Sequence, residues 1–330
     1  MSEGSTAEDR PTAGSDSATE HGTAEADGDM TEWLPYLGIV ALYTATVLGG
    51  LALTDEMRAL GLVLFEDPGN VGNVGIFAVY VLVATGVVAV TGIGTVATEG
   101  AALGLPTSPV SGAVALGTAV VLWVYPEWWV NDIAAVVFGA AAIPMLGLGF
   151  GPLPVVVLLV LWAGYDAYAV YVSGHMQELA AGLGGLRAPI VFVVPHSLSY
   201  SLREEGLDLA GEGDEPDDEH SEDSDGDGEA SDGMHGVALL GLGDALIPGM
   251  LAVSAGAFLD APVVIPALDA NLPALGALVG GLLGMGGLLY LVHRVDGAHA
   301  GLPPLNAGVL AGYLVGAVAA GVPITAALGV

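Results

Sequence analysis

The chain has 330 residues, of which 53% are hydrophobic and only 13% charged, and it contains no cysteine. That balance belongs to a polytopic membrane protein rather than a soluble enzyme, and it excludes disulfides, thiol catalysis and thiolate metal sites. The formal net charge is −32 and all five basic residues are arginine, which excludes nucleic acid as a partner.

In chain order, residues 1–32 form an acidic tail. It carries 9 of the 37 acidic residues and few apolar ones, too few to offset the entropy of ordering, so it reads as disordered. It has neither the basic start nor the apolar core of a signal peptide. The first span is therefore expected to serve as its own targeting signal. Dense carboxylates with no lysine suit a protein kept soluble at high salt, where their repulsion is screened.

A membrane-crossing helix needs about 20 apolar residues. Eight segments qualify, at 33–54, 73–97, 108–126, 131–149, 152–173, 236–258, 272–293 and 302–327. A ninth helix can be hidden between 73 and 126, because residues 73–105 are broken only by Glu99. Pro144 predicts a kink in 131–149. The expected fold is an all-α polytopic membrane protein, a bundle of eight to nine transmembrane helices. Residues 33–173 make the N-terminal helices and 236–330 the C-terminal ones.

Between the two groups lies one hydrophilic loop, 174–235. Its "PIVFVVP" (189–195) is a β-branched run between prolines and reads as a short strand. An acidic insert, 201–234, follows and reads as disordered; residues 204–232 alone hold 15 of the acidic residues. "DSDGDGEASD" (223–232) loosely resembles a calcium loop. Glycine replaces several ligands there, and no ordered helices are expected to flank it. Arg187 and Arg203 in the loop and Arg294 after the seventh segment fall on one side of the membrane. The excess of basic residues places the loop in the cytoplasm and the protein in the cell membrane.

Two acidic residues stand well inside apolar spans, Asp166 in "LWAGYDAYAVYV" and Asp244 in "LLGLGDALIPGML". Each costs roughly 2.5–3.5 kcal/mol at a helix centre. Asp132, Asp260, Asp269 and Asp296 lie at span ends and read as interfacial. Asp166 is 8 residues before Gly174 and Asp244 is 8 residues after Gly236. In two antiparallel helices both would lie roughly 12 Å below the same membrane face. Gly241, three residues before Asp244, and Gly164, beside Asp166, are expected to let the helices approach. Gly243 relaxes the backbone at Asp244. Pro248 removes the bond its N–H would have given to the carbonyl of Asp244, loosening the helix there. Two carboxylates held close cannot both ionise easily and share one proton. Such a pair can hydrolyse a peptide bond, one acting as general base on water while the other polarises the carbonyl. It can equally relay protons in a transporter, and spacing alone leaves both open.

The order of the motifs bears on that choice. Tyr165-Asp166 in one span, then Gly241-Leu242-Gly243-Asp244 in the next, resembles the YD and GxGD motifs of the presenilin and signal-peptide-peptidase family, archaeal presenilin-like homologues included. "WVNDIAAVVFGAAAI" (129–143) and "PIVFVVP" resemble family segments too, and the likeness covers roughly residues 120–330. The resemblance implies a presenilin-like bundle of nine helices and an intramembrane aspartyl endopeptidase. It implies Asp166 and Asp244 as catalytic residues, Tyr165, Gly241, Leu242 and Gly243 as active-site support, transmembrane segments of other proteins as substrates, and no cofactor. The family's Pro-Ala-Leu element occurs literally at 266–268 and 273–275, but both lie on the face opposite the large loop. The positional match is Pro303-Pro304-Leu305, where proline replaces alanine. The strand-like Ile190, Val191, Phe192, Val193 and Val194 are expected to pair with an unwound substrate segment, or else merely to cap the bundle.

Seven histidines are present, without HExxH or any paired spacing, so no metal site is expected. No GxS elbow occurs, and Ser254 has no histidine partner within a span. Trp123, Trp128, Trp129 and Tyr171 read as interface anchors.

Overall fold

Helices form along the apolar runs because lipid offers the backbone no hydrogen-bond partner, so each segment must satisfy its own polar groups. The computed structural model describes residues 21–61, 64–79, 81, 117, 118, 120–173, 191–197, 199–202, 237–294 and 300–329. Among these, five helical stretches are long and apolar enough to cross a membrane: Trp33–Ala59, Trp128–Gly149, Pro152–Val172, Leu272–Leu291 and Leu302–Ala319. The spans expected at 73–97 and 108–126 lie largely outside the described residues, and with them the choice between eight and nine helices. The acidic insert also lies outside them.

The chain divides into two units, Met1–Leu34 and Pro35–Val330. In the first, helix α1 (His21–Ala52) begins ahead of the expected span. Residues 21–32, read as part of the disordered tail, are helical; alanine, glutamate and methionine there are good helix formers.

The second unit holds the rest of α1 and all that follows. Helix α2 (Thr54–Ala59) carries Arg58, which pairs with Asp55 at 3.0 Å and with Asp269 at 2.9 Å. Helix α3 (Trp128–Gly149) runs through a buried Pro144 as one element. Helix α4 (Pro152–Tyr168) starts on Pro152, whose missing N–H is no loss at a helix start. It widens at its far end into a π-turn, Ala169–Ser173. Strands β1 (Val191–Pro195) and β2 (Val237–Gly241) pair antiparallel, with Val191 opposite Gly241 and Val193 opposite Leu239. Helix α5 (Leu242–Phe258) follows β2 directly. A second small sheet joins β3 (Val263–Ile265) to β4 (Ala270–Asn271). Helices α6 (Leu272–Arg294), α7 (Leu302–Ala319) and α8 (Ile324–Ala327) complete the chain. Asn271 caps α6, accepting the N–H of Ala274 at 3.0 Å while its amide donates to the Ala255 carbonyl at 2.8 Å.

The segment 236–258, expected as one helix, is a strand followed by a helix. The 17 residues of α5 reach only about 25 Å, short of a ~30 Å hydrocarbon core, and the extended residues of β2 supply the remainder. Gly241 and Gly243 each disfavour helix by about 1 kcal/mol, and β1 offers β2 the backbone partners that lipid cannot.

Helix α5 packs on α3, α4 and α6, while α4 also packs on α7 and β1 lies on α3. Tyr43, Ile143, Phe150, Leu159, Met250, Leu305 and Tyr313 are fully buried in this core. The tightest seam is between α6 and α7. Gly276, Gly280 and Gly284 face Gly308, Gly312 and Gly316, and a Cβ on any of the six would fall onto the opposing backbone.

Candidate active site

Asp166 and Asp244 come from helices that pack directly on each other. Asp166 sits near the C-terminal end of α4 and is buried. Its Oδ2 accepts the N–H of Leu302 at 3.0 Å, and the N–H of Gly301 reaches the same carboxylate. These are the residues immediately before Pro303-Pro304-Leu305. Gly301 is the N-cap of α7 and Leu302 its first residue. The N–H groups of a helix's first turn have no partner within the helix. Pro303 and Pro304 remove two of those donors outright, and the N–H groups just before them are spent on Asp166. The positional match to the Pro-Ala-Leu element thus lies against Asp166. The literal copies lie elsewhere, at an exposed turn between β3 and β4 and at the start of α6.

Asp244 is half-buried, the third residue of α5, and Gly241 is the N-cap. The Gly241 N–H donates to the Asp244 carboxylate, the side-chain-to-N-cap half of a capping box. The charge of Asp166 acts on Asp244, so the pair is brought together. The route to that meeting differs from the sequence expectation. Asp244 is not eight residues down a helix but in its first turn, at the end of an extended strand. Gly241 is extended, with φ −60 and ψ 135, rather than on a helical face, yet a Cβ on it would stand 3.2 Å from Asp244 Oδ2. Leu242 is buried and its Cδ1 occupies the space left by Gly139 of α3. A Cβ on Gly243 or on Gly164 would meet nothing within 4 Å, so Gly164 is not a close-approach site. Pro248 lies within an unbroken α5.

Tyr165 is 57% exposed, its ring 6.4 Å from that of Trp162. Tyr171, read as an interface anchor, is exposed and also accepts the N–H of Ala300 at 3.3 Å. Asn306 of α7 donates to the Leu159 carbonyl at 3.0 Å. Helix α4 is therefore tied to the start of α7 at three levels around Asp166.

Strand β1 is confirmed at Val191–Pro195, and Ile190 lies outside the described residues. Both edges of β1 are occupied. One pairs with β2. On the other, Asn131 Nδ2 donates to the Val191 carbonyl at 2.6 Å, and the Val193 N–H donates to Asp132 Oδ1 at 2.8 Å. The Val191 carbonyl and the Val193 N–H, two of the groups a substrate segment would need on that edge, are thus already engaged. In an antiparallel pair, opposed residues alternate between exchanging both bonds and exchanging none. Val193 bonds to Asp132, so Val193 and Leu239 exchange none, and the backbone of Leu239 is turned to the far edge of β2.

Asp132 was read as interfacial, yet it is only 4% exposed. The sequence showed an acid at a span start, where water is normally near. It did not show that a strand from residues 191–195 folds over that position.

Residues 103–322 match the family model described as signal-peptide peptidase, presenilin aspartyl protease. Two solved structures of a presenilin family intramembrane aspartate protease are similar. The one in the C222 space group is 30% identical, covers 87% of this chain and 100% of its own, and superposes with a TM-score of 0.56. The one in the P2 space group is 30% identical, covers 88% and 100%, and gives 0.54. No curated protein matches the chain. Nothing in these likenesses supports the transporter alternative.

Proposed function

Since the chain belongs to the signal-peptide-peptidase and presenilin family of aspartyl proteases, and is a multi-pass intramembrane aspartyl protease, we propose that Asp166 and Asp244 are its catalytic pair. The observation that carries this reading is their convergence from two packed helices, with the charge of one acting on the other. One carboxylate, ionised, takes a proton from water as the water attacks the carbonyl carbon. The other, protonated, donates to the carbonyl oxygen, and the tetrahedral intermediate then collapses with the proton delivered to the leaving nitrogen. The Gly301 and Leu302 N–H groups hold Asp166 in place, and the Gly241 N–H holds Asp244. The open space at Gly243 leaves room for a substrate backbone beside Asp244, and exposed Tyr165 is available to line its approach.

A transmembrane helix shields its own peptide bonds, so the substrate segment must be opened before water can attack. We assign its extended stretch to the far edge of β2, where the Leu239 backbone is directed, rather than to β1. Membrane-embedded segments of other proteins are the substrates this chemistry serves. Arg187, Arg203 and Arg294 support a cytoplasmic side for the 174–235 loop, and with it a multi-pass protein of the cell membrane.

The test is cleavage of a transmembrane peptide by the full chain in liposomes. Asp166→Asn and Asp244→Asn should each lower cleavage by about 10^3-fold or more. Equal cutting by wild type and either variant rejects the assignment.

A further inference from the structure

Asp132 is a further buried acid, one that the hydrolysis does not use. It is the fifth residue of α3, next to Asn131, and both side chains reach off their own helix. Asp132 Oδ1 accepts the Val193 N–H, and Asn131 donates to the Val191 carbonyl, across about 60 residues of sequence in both cases. The second oxygen, Asp132 Oδ2, is buried with no hydrogen-bond partner among the described residues. A buried carboxylate with an unpartnered oxygen is costly, so the strand contact has to be worth holding.

What the contact holds is short and direct. Val191, gripped by Asn131, stands opposite Gly241. Gly241 is the N-cap whose N–H bonds Asp244. Val193, gripped by Asp132, stands opposite Leu239, two residues earlier on the same strand. A shift of β1 along α3 would therefore carry β2, the Gly241 turn and the Asp244 carboxylate with it. Strands β1 and β2 are separated by residues 196–236 of the sequence, too many for a tight hairpin loop to set their register. Asn131 and Asp132 both bond to the outer edge of β1.

We propose that Asn131 and Asp132 are positioning residues for the hydrolysis, clamping β1 onto α3 so that β2 presents Asp244 to Asp166 at the working distance. This rests on the assignment of Asp244 as catalytic. A misplacement of ~1 Å at a reacting group can cost about 100-fold in rate, so the clamp acts on kcat rather than on substrate capture.

The experiment measures kcat and KM for a transmembrane peptide with the full chain in liposomes, on folded protein, for Asp132→Ala, Asn131→Ala, Asp132→Asn and Asp244→Asn. Both alanine variants should lose about tenfold or more in kcat with KM within about twofold. Asp132→Asn keeps an oxygen acceptor for the Val193 N–H and should recover to within about threefold of wild type. Hydrogen exchange should quicken at residues 191–195 and 237–241 in the alanine variants, with α6 and α7 unchanged. Wild-type kcat in both alanine variants overturns the clamp. So does an Asp132→Asn variant as slow as Asp132→Ala, because the carboxylate rather than the bond to β1 would then matter. Should Asp132→Ala fail to fold, Asn131→Ala, which removes the bond to the Val191 carbonyl but keeps the Asp132 carboxylate, decides on the same criteria. An Asp244→Asn variant that still cuts removes the catalytic assignment itself. A dead Asp244→Asn beside fully active alanine variants removes the clamp alone.

Discussion

Asp166 and Asp244 reach each other from opposite kinds of helix end. Asp166 approaches at the close of α4 and takes its N–H donors from the start of α7, while Asp244 takes its donor from the N-cap of its own helix. A pair working with one shared proton has a pH profile fixed in shape. Activity falls toward low pH as the base becomes protonated, and falls again toward high pH as the acid loses its proton. A bell-shaped kcat/KM in liposomes is the expected result, and a rate that rises to a plateau at high pH contradicts the shared-proton scheme. Both residues were legible because an acid in an uncharged run is rare and each came with a motif. Asp132 was not, because hydropathy cannot tell a solvated span end from one covered by a distant strand. Tyr165 was legible as a motif partner, but its exposed ring was not, since an apolar span does not tell by hydropathy which face packs inward.

At the scale of elements, the expected spans from residue 131 onward were found close to their expected places, but the character of 237–241 was not foreseen. "VALLG" is as apolar as the helix that follows it, and hydropathy reports apolarity, not rise per residue. The signal that was available was the pair of glycines at 241 and 243, which mark where a helix is weakest. The glycine seam of α6 and α7 was also in plain view, as Gly276, Gly280, Gly284 and Gly308, Gly312, Gly316 repeat every four residues, placing each set on one face. Gly280→Leu puts a side chain onto the Gly308 carbonyl and should destabilise the bundle by about 1–3 kcal/mol or more. Because α7 brings Gly301 and Leu302 to Asp166, activity should fall with it. Thermal unfolding in detergent and cleavage in liposomes check the two effects, and an unchanged melting temperature contradicts the seam.

Across the whole molecule, charge and apolarity are segregated. Most of the −32 lies in the acidic tail and the 204–232 stretch, while Asp132, Asp166 and Asp244 in the described apolar helices each accept a backbone N–H. The absence of cysteine makes topology directly readable. A single cysteine introduced in the 174–235 loop should react with a membrane-impermeant maleimide only after cells are permeabilised, and labelling of intact cells reverses the orientation. The central claim is that Asp166 and Asp244 act as one unit, and the direct measurement is a double-mutant cycle on peptide cleavage in liposomes. Asp166→Asn and Asp244→Asn should each lower kcat by about 10^3-fold or more, with the double variant no slower than either single one. Additive losses, or a single variant that cuts as wild type does, would contradict the account.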